Sequence, residues 1–416
     1  MQKLIIKNFG PIKDVKLEIK DFMVFIGPQA SGKSTISKVI YFFQTIGEVF
    51  AKKMIRENIF NNNKIEISDF KKAINTQFLN IWSSENQIKY FKLIYEYSEY
   101  LKITVHNTDN KIPTFEFSEE LEKVLTSIVS SQTINRVRED DAMSEGEYIY
   151  FTFLTIFFSK DRKKSYIPAG RSALATLSEI FQADFIRNED DPLMQNFIKF
   201  IALEKKKFGQ GLDLVIDRQL ALEPDKVDKS TLKLAKKLIH KILKGEYKNG
   251  NGDKIILEND EYVFLNEASS GQQEAIWILY LLFAEILEQR KTAITIEEPE
   301  AHLYPVAQKD IVEMIALLFN TADNQVILTT HSPYILASIN NLLYANKVGK
   351  NNETKVSQII DKKLWLDYNR FEAFFVEKGT IRNIMDEEFQ MIKNEAIDSA
   401  SRIINQQFDD LYEFDN

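Results

Sequence analysis

The chain contains 416 residues, 44% of them hydrophobic and 12% aromatic, which is enough for two or three units of ordinary domain size with substantial cores. It has no cysteine and four histidines, so disulfides, thiolate catalysis and cysteine-bound zinc are excluded and a histidine-built metal site is disfavoured. The formal net charge of −8 argues against a surface that coats nucleic acid uniformly, but it leaves room for a local basic strip.

The sequence also lacks the patterns of membrane insertion and secretion. A membrane-spanning helix needs about 18 apolar residues or more in a row, whereas the densest apolar run here, 275–284, ends at Glu285. Residues 1–7 look like a first strand and do not follow the pattern of a signal peptide. We therefore expect a cytoplasmic protein that makes no contact with a membrane.

The N-terminal elements follow in quick succession. Apolar residues alternate over 1–20 on both sides of the turn residues 8–11, which predicts a β-hairpin. The apolar run 22–26 then predicts a buried strand, and 36–43 predicts a helix. The loop between this strand and this helix has the sequence Gly-Pro-Gln-Ala-Ser-Gly-Lys-Ser-Thr.

That loop has the composition of a phosphate-binding loop at the junction where such loops occur. Gly27 and Gly32 allow backbone N–H groups to turn toward phosphate oxygens, and the helix dipole adds partial positive charge. Lys33 can reach the β and γ phosphates of ATP, and the Ser34 hydroxyl can bind Mg²⁺. We expect the whole loop to bind ATP: Gly27, Pro28, Gln29, Ala30, Ser31, Gly32, Lys33, Ser34 and Thr35.

The middle of the chain changes pattern several times. Helical and strand patterns alternate there, with helices at 48–58, 69–82, 117–137 and 145–159 and strands within 90–107 and at 114–117. A short strand at 164–167 ends in a polar turn that contains Arg171, and an Ala/Leu helix follows through Phe181. These patterns predict a mixed sheet, an antiparallel β subdomain and a helical insertion.

The helix predicted at 231–244 is amphipathic, and its polar face is basic. The basic residues on this face are Lys233, Lys236, Lys237, His240, Lys241 and Lys244. A plain solvent-exposed face and a contact with nucleic acid or a partner protein both explain this pattern. Gly245 is placed to end the helix, and the turn 248–252 precedes strands at 255–258 and 262–265.

A second glycine- and serine-containing turn comes before the long apolar helix that begins near residue 270. Its residues Ser269, Ser270, Gly271 and Gln272 can form an anion site at the helix N-terminus, or simply cap the helix. One chain does not need two phosphate-binding helix ends for one nucleotide. The pattern is explained if this turn closes over ATP held by the phosphate loop of another copy of the chain.

Two further strands end in polar residues. The strand 293–296 is followed by Glu297, which suits a magnesium ligand, and by Glu298, which suits the group that orients or deprotonates the attacking water. The strand 325–329 ends before His331, which can contact the γ-phosphate or that water. Because ligands bind at the carboxyl ends of strands in open α/β sheets, we expect these groups to meet the phosphate loop at one edge.

Taken together, the motifs resemble those of the ATP-binding-cassette (ABC) ATPases of the RecF, SMC and OLD (overcoming lysogenization defect) group. Residues 27–35 resemble Walker A, 294–298 resemble Walker B, and 268–272 resemble the signature motif, with departures at its first and third positions. Residues 298–303 resemble the segment after Walker B in OLD-like enzymes, and His331 resembles their switch histidine.

The resemblance covers roughly 1–48 and 255–345 and implies an ABC-type ATPase head. Three glutamines, Gln44, Gln182 and Gln195, are candidates for the family's Q-loop residue. The segment around Arg171 also resembles the OLD-like group, so Arg171 is either a nucleotide- or interface-site residue or a structural one.

This comparison implies an order of regions along the α/β chain. We expect an N-terminal lobe with the phosphate loop at 1–48, a β subdomain and helical insertion at 49–254, a C-terminal lobe at 255–348 and a helical tail at 349–416. Full OLD enzymes carry a metal-dependent nuclease after the ATPase. The tail here is short and its acidic residues 386–388 follow a helical pattern, so we expect no nuclease in this chain.

The expected function is an Mg²⁺-dependent ATPase that forms a homodimer, or a higher even oligomer, when it binds ATP. The resemblance extends to the ATPase subunits of bacterial anti-phage systems of the Septu and PARIS kind, in which the ATPase controls a separate effector such as a nuclease. In that case Lys233, Lys236, Lys237, Lys241 and Lys244 are candidates for contacts with nucleic acid. The alternatives are a RecF-like repair factor without an effector, a transporter ATPase, and a toxin formed by the tail.

Overall fold

The computed structural model describes residues 2–57, 65–82, 90–108, 113–130, 145–157, 162–172, 174, 191–224, 226, 228–250, 252–393 and 399–412. In these residues the α-helices are α1 (Lys33–Ile55), α2 (Ile67–Ile81), α3 (Glu119–Ser130), α4 (Glu145–Phe157), α5 (Pro192–Phe208), α6 (Leu212–Leu222), α7 (Lys229–Leu243), α8 (Ser270–Glu288), α9 (Pro305–Thr321), α10 (Pro333–Ser357) and α11 (Ser399–Tyr412).

The strands are β1 (Lys3–Phe9), β2 (Ile12–Glu18), β3 (Phe22–Ile26), β4 (Phe91–Glu96), β5 (Lys102–Asn107), β6 (Thr114–Phe117), β7 (Lys163–Ile167), β8 (Gly245–Asn249), β9 (Asp253–Leu257), β10 (Tyr262–Phe264), β11 (Thr292–Glu297), β12 (Gln325–Thr330), β13 (Phe371–Glu377), β14 (Thr380–Asn383), β15 (Met385–Asp386) and β16 (Met391–Ile392). No helix among the described residues is long and apolar enough to cross a membrane.

The main sheet has six strands in the order β14-β13-β3-β12-β11-β7. The strands from β13 to β7 are parallel, and β14 joins the edge antiparallel to β13. The central strands β3, β11 and β12 are buried along their whole length, as expected for largely apolar strands in a sheet covered on both faces. Because these strands are parallel, the segments that follow them leave the sheet at one common edge.

Two large hydrophobic clusters lie on the two faces of this sheet, and β3 contributes to both. Met23 and Phe25 pack into the cluster that contains α1 and the sheet β2-β1-β4-β5-β6, whereas Val24 packs with α7, α8 and α9. This division follows from the period of two along a strand. Helix α8 is buried nearly all round, as its continuous apolar sequence requires.

These features confirm the predicted α/β fold with a mixed sheet and a separate antiparallel sheet. The sheet β2-β1-β4-β5-β6 is antiparallel throughout and begins with the predicted N-terminal hairpin. A third sheet, β10-β9-β8, is also antiparallel. Its strand β8 is absent from the sequence-based prediction, which places a turn directly after the basic helix.

The prediction of a wholly helical tail is wrong. Strand β13 pairs in parallel with β3 and so becomes part of the main sheet. Its alternate residues serve both faces, because Phe371 packs into one hydrophobic cluster and Phe374 into the other. The acidic residues 386–388 are not helical either, since Asp386 lies in β15 and a turn follows it. Among the described residues of this region, α11 and the end of α10 are the α-helical parts.

Two smaller predictions also need correction. Helix α1 continues without a break where two helices were expected, at 36–43 and 48–58. Helix α7 ends at Leu243, and its C-cap is Lys244, with a left-handed φ of 53°, and not Gly245. Gly245 begins β8 instead, where a Cβ atom would lie 2.2 Å from the carbonyl oxygen of Ile256. The helix predicted up to Phe181 lies outside the described residues.

Candidate nucleotide-binding site

The phosphate loop follows β3 at the carboxyl edge of the main sheet and leads directly into α1. Gly32 has a left-handed φ of 105°, and a Cβ atom there would lie 2.4 Å from the side chain of Ile12. A Cβ atom on Gly27 would lie 2.1 Å from the carbonyl oxygen of Val376 in β13. Both glycines are therefore required by close packing as well as by the shape of the loop.

Lys33 is the first residue of α1 and is only 4% exposed. Its ammonium group donates to the carbonyl oxygens of Gly27, at 3.0 Å, and Pro28, at 2.9 Å. Burial lowers the pKa of Lys33, and the carboxylates of Glu298 and Glu300 oppose that shift. A buried ammonium held on carbonyls of its own loop is placed to exchange those acceptors for phosphate oxygens.

His331 joins Lys33 to the acidic segment after β11. Its Nδ1 atom lies 3.4 Å from Lys33 Nζ, and its Nε2 atom lies 3.2 Å from Glu298 Oε1. An ammonium group can only donate, so Nδ1 is the acceptor and Nε2 carries the proton that faces Glu298. The ring and the carboxylate are each about one third exposed. The sheet edge thus brings together Lys33, His331 and Glu298, which are far apart in sequence.

Glu297, the last residue of β11, is 5% exposed, and its Oε2 atom accepts from the backbone N–H of Ala169 at 3.2 Å. Its Oε1 atom is buried and has no hydrogen-bond partner of ordinary geometry among the described residues. The same holds for the hydroxyl of Thr329, which is opposite Glu297 in the β11–β12 register and so lies on the same face. An unsatisfied carboxylate oxygen at this edge fits a hydrated Mg²⁺ ion.

Glu300 accepts hydrogen bonds from Thr330 and His331 and so holds the backbone of His331 in place. Its Oε1 atom accepts from the hydroxyl of Thr330 at 2.6 Å and from the backbone N–H of His331 at 2.7 Å. Burial raises the pKa of Glu300, and these two hydrogen bonds oppose that shift. Glu300 was not among the predicted site residues, although it lies in the segment 298–303 that resembles OLD-like enzymes.

The signature residues are placed elsewhere on the chain. Ser269 caps α8 and is linked to Gln272 in both directions, since its hydroxyl accepts from Gln272 N–H and its own N–H donates to Gln272 Oε1. A Cβ atom on Gly271 would lie 2.8 Å from the carbonyl oxygen of His302. These residues line an open groove of about 730 Å³ together with Lys241, Lys244, His302 and Tyr304. No phosphate-loop residue lines that groove.

The basic face of α7 is only partly available. Lys236 pairs with Asp213, and Lys241 lies 3.6 Å from Asp310. Lys233 and Lys237 are exposed, and so is Lys244 at the rim of the signature groove.

The three glutamine candidates have different surroundings. Gln44 is buried in α1 and donates to the side chain of Gln325 at 2.8 Å, so it serves the core. Gln195 lies half-buried in α5, and Gln182 falls outside the described residues. Arg171 is completely buried, which favours the structural alternative for that residue over direct contact with a nucleotide.

The chain matches the family described as "AAA ATPase domain" over residues 1–336. No curated protein matches it. Among solved structures it is similar to an SMC head bound to the C-terminal winged-helix domain of ScpA, with 14% identity, a TM-score of 0.42 and coverage of 92% of this chain and 96% of the other.

The chain is also similar to two further SMC heads. The SMC head domain from Thermotoga maritima shares 11% identity with a TM-score of 0.37, over 92% of this chain and 98% of the other. The SMC head domain with an extended coiled coil, bound to the C-terminal domain of ScpA from Pyrococcus furiosus, shares 12% identity with a TM-score of 0.38, over 98% and 99%.

Proposed function

Because this chain belongs to the AAA ATPase domain family, we propose that it binds ATP at the carboxyl edge of the main sheet and hydrolyses it there to ADP and phosphate. The observation that carries the proposal is the continuous contact from Lys33 through His331 to Glu298. It connects a cation suited to the β and γ phosphates with a carboxylate suited to the attacking water. We call these three residues and the loop 27–35 the phosphate-loop half of the site.

In the proposed reaction the backbone of residues 27–35 surrounds the phosphates, and Lys33 moves from the carbonyls of Gly27 and Pro28 to phosphate oxygens. Glu298 accepts a proton from the attacking water while the oxygen of that water forms a bond to the γ-phosphorus. The bond from that phosphorus to the bridging oxygen of ADP breaks, and both products leave. His331 keeps Glu298 oriented and lies 3.4 Å from Lys33, the residue that would hold the γ-phosphate.

Ser34 and Glu297 would hold Mg²⁺. The unsatisfied, buried Oε1 atom of Glu297 supports this assignment. Mg²⁺ is usually held by one or two protein oxygens together with phosphates and water. When bound, the ion supplies positive charge that offsets the charge of the phosphates.

The ATP-bound form is proposed to be a homodimer or a higher even oligomer of ABC type. We call Ser269, Ser270, Gly271 and Gln272 the signature half of the site. It lies at an exposed helix N-terminus, in a groove that the phosphate-loop half does not reach. A helix N-terminus stabilises anions, so this half suits the phosphates of ATP held by a second copy. The γ-phosphate is the feature that both copies would lose on hydrolysis.

We further propose that this ATP-dependent assembly senses or clamps nucleic acid, or a phage component, and so controls a separate effector, such as a nuclease, in anti-phage defence. The support is the motif resemblance to Septu- and PARIS-like ATPases and the exposed lysines Lys233 and Lys237 on α7. A RecF-like repair ATPase without an effector is the alternative, and the same lysines would suit it. A nuclease gene found next to the gene of this protein would favour a role in defence over a role in repair.

Glu298→Gln tests the proposal. The amide keeps the shape of the side chain but cannot accept the proton of water, so we expect hydrolysis to fall by about 100-fold or more while ATP binding persists. The closed dimer should then accumulate with ATP, which light scattering after size exclusion measures. Proteins and nucleic acids that co-purify with the trapped form would identify the effector.

The matched control is Glu353→Gln, which changes an exposed carboxylate on α10 far from the sheet edge. It should leave hydrolysis and the oligomeric state unchanged. A Glu298→Gln protein that hydrolyses ATP at the normal rate would remove Glu298 from the catalytic role.

A further inference from the structure

Arg171 occupies the turn after β7 and has no exposed surface. Its guanidinium contacts one carboxylate and four backbone carbonyls of the same chain. Burial lowers the pKa of its guanidinium, and the nearby carboxylates, Glu274 first, oppose that shift. A buried arginine of this kind is held by specific partners, and those partners lie in or next to both halves of the proposed site.

Toward the phosphate-loop half, Arg171 fixes the backbone around Glu298. Its Nη1 atom donates to the carbonyl oxygen of Glu297 at 2.7 Å, and its Nη2 atom donates to that of Glu298 at 2.9 Å. These carbonyls lie on the two peptide groups that flank the α-carbon of Glu298. That residue has a left-handed φ of 44°, which costs a non-glycine residue about 1–2 kcal/mol.

A third contact completes this arrangement, because the N–H of Glu298 donates to the carbonyl oxygen of Thr329 at 2.9 Å. The unfavourable backbone conformation that directs the Glu298 side chain toward His331 is therefore held by Arg171 on one side and β12 on the other. Without the guanidinium, the Glu297 carbonyl would lose this donor, and the Glu298 carbonyl would keep the N–H of Ala301 at 3.1 Å.

Toward the signature half, Arg171 contacts Glu274 in the second turn of α8. Its Nε atom lies 3.2 Å from Glu274 Oε2 and 3.3 Å from the Glu274 carbonyl oxygen. The Glu274 carboxylate also accepts from the backbone N–H groups of Arg171, at 3.1 Å, and Ser172, at 2.8 Å. Glu274 is five residues beyond Ser269 on the same helix, so the helix end that carries the signature residues is rigidly tied to Arg171.

We propose that Arg171 is a positioning residue that makes the placement of Glu298 depend on the placement of the signature end of α8. The inference rests on the proposed function. A nucleotide that a second copy presents to Ser269 and Gly271 would bear on the N-terminus of α8. A displacement of that helix end would be transmitted through Glu274 and Arg171 to the carbonyl groups of Glu297 and Glu298. The two halves of the site in one chain are thereby coupled, although they do not touch the same nucleotide.

Arg171→Lys is the sharpest test because lysine keeps the charge but lacks the planar fork that reaches two carbonyls and a carboxylate together. A misplacement of Glu298 by about 1 Å should lower kcat by about 100-fold, with KM for ATP unchanged. In a Glu298→Gln background the same substitution should cause no further loss in single-turnover rate, because the group it positions is already gone.

Arg162→Lys is the matched control. Arg162 is another buried arginine, just before the opposite end of β7, and it pairs with Asp21 and Asp323. Its replacement should lower the melting temperature without changing kcat or KM. If Arg171→Lys does not fold, Glu274→Gln replaces it, since an amide cannot accept from both N–H groups and the guanidinium as the carboxylate does. The same loss of kcat at constant KM is expected.

Three results would overturn the inference. The first is normal kcat in Arg171→Lys, and the second is an equal further loss in the Glu298→Gln background, which would show a general effect on the fold. The third is a rise in KM alone, which would place Arg171 in nucleotide binding. Absence of hydrolysis in the wild-type protein would instead overturn the proposed function itself, so the two failures are distinguishable.

Discussion

The phosphate-loop half and the signature half of the site differ in how their polar groups are satisfied. Lys33 is buried and bonded to two carbonyls and to His331, which in turn meets Glu298. Ser269 is exposed, and its hydrogen bonds are to Gln272 of the same capping turn. The first half is therefore preorganised within one chain, whereas the second presents a helix N-terminus outward and needs another molecule to give it a ligand.

The strongest test of this difference is Lys33→Ala. Charged hydrogen bonds to phosphate are worth about 1.5–3 kcal/mol each, so their loss should weaken ATP binding by roughly 10- to 100-fold or more. Isothermal titration calorimetry with ATP measures this directly. Lys38→Ala is the matched control, because Lys38 is on the same helix and pairs with Asp191. Undiminished ATP affinity in Lys33→Ala would exclude the loop from the site.

Ser269→Ala should have a smaller effect of a different kind. ATP affinity of the single chain should stay the same, because the signature half does not line the phosphate loop. Hydrolysis and ATP-dependent dimerisation should fall by about tenfold, the equivalent of one hydrogen bond to a charged phosphate. Loss of the cap should also lower the free energy of unfolding by about 1 kcal/mol.

Asp228→Ala separates these two effects. Asp228 caps α7 through the N–H of Ser230, so its loss should cost similar stability. It should leave hydrolysis intact. Equal loss of hydrolysis in both variants would mean that Ser269 acts only as a helix cap and that the signature half has no ligand.

The sequence could predict the main sheet edge because local signals coincide there. Mostly apolar runs identify β3, β11 and β12, and a glycine, a glutamate or a histidine lies at or just beyond the end of each. Those signals are local in sequence. To infer from them that the site residues meet, we needed only the rule that the carboxyl ends of parallel strands lie at one edge of a sheet. The α/β class followed from the same elements and is confirmed.

What the sequence could not predict depends on contacts between distant segments. Strand β13 is rich in apolar residues, but only its pairing with β3 makes it part of the main sheet. The partners of Arg171 lie on α8 and after β11, so no local pattern around Arg171 indicates them. The role of Glu300 likewise depends on β12, which brings Thr330 and His331 to its carboxylate.

Glu300→Gln is the variant with the smallest expected effect, and that effect is on stability. It tests whether the Glu300 charge contributes to the preorganisation of the phosphate-loop half. The amide oxygen can still accept from Thr330 and His331, but the buried charge is removed. Burial raises the folded-state pKa of Glu300. A raised pKa means that the folded state binds the proton more tightly, so this group's contribution to stability is present at acid pH and lost as pH rises through that pKa.

The Gln variant has no carboxyl group to deprotonate at this position, so it does not lose this stability as pH rises. Its melting temperature should therefore exceed that of the wild type near neutral pH. The difference should shrink as pH falls below the pKa of an unfolded glutamate, near 4.3. Differential scanning calorimetry at several pH values measures it. A variant that is less stable than wild type at neutral pH would show that the Glu300 charge is held favourably by its neighbours. The preorganisation of the phosphate-loop half would then include that charge as well as the hydrogen bonds.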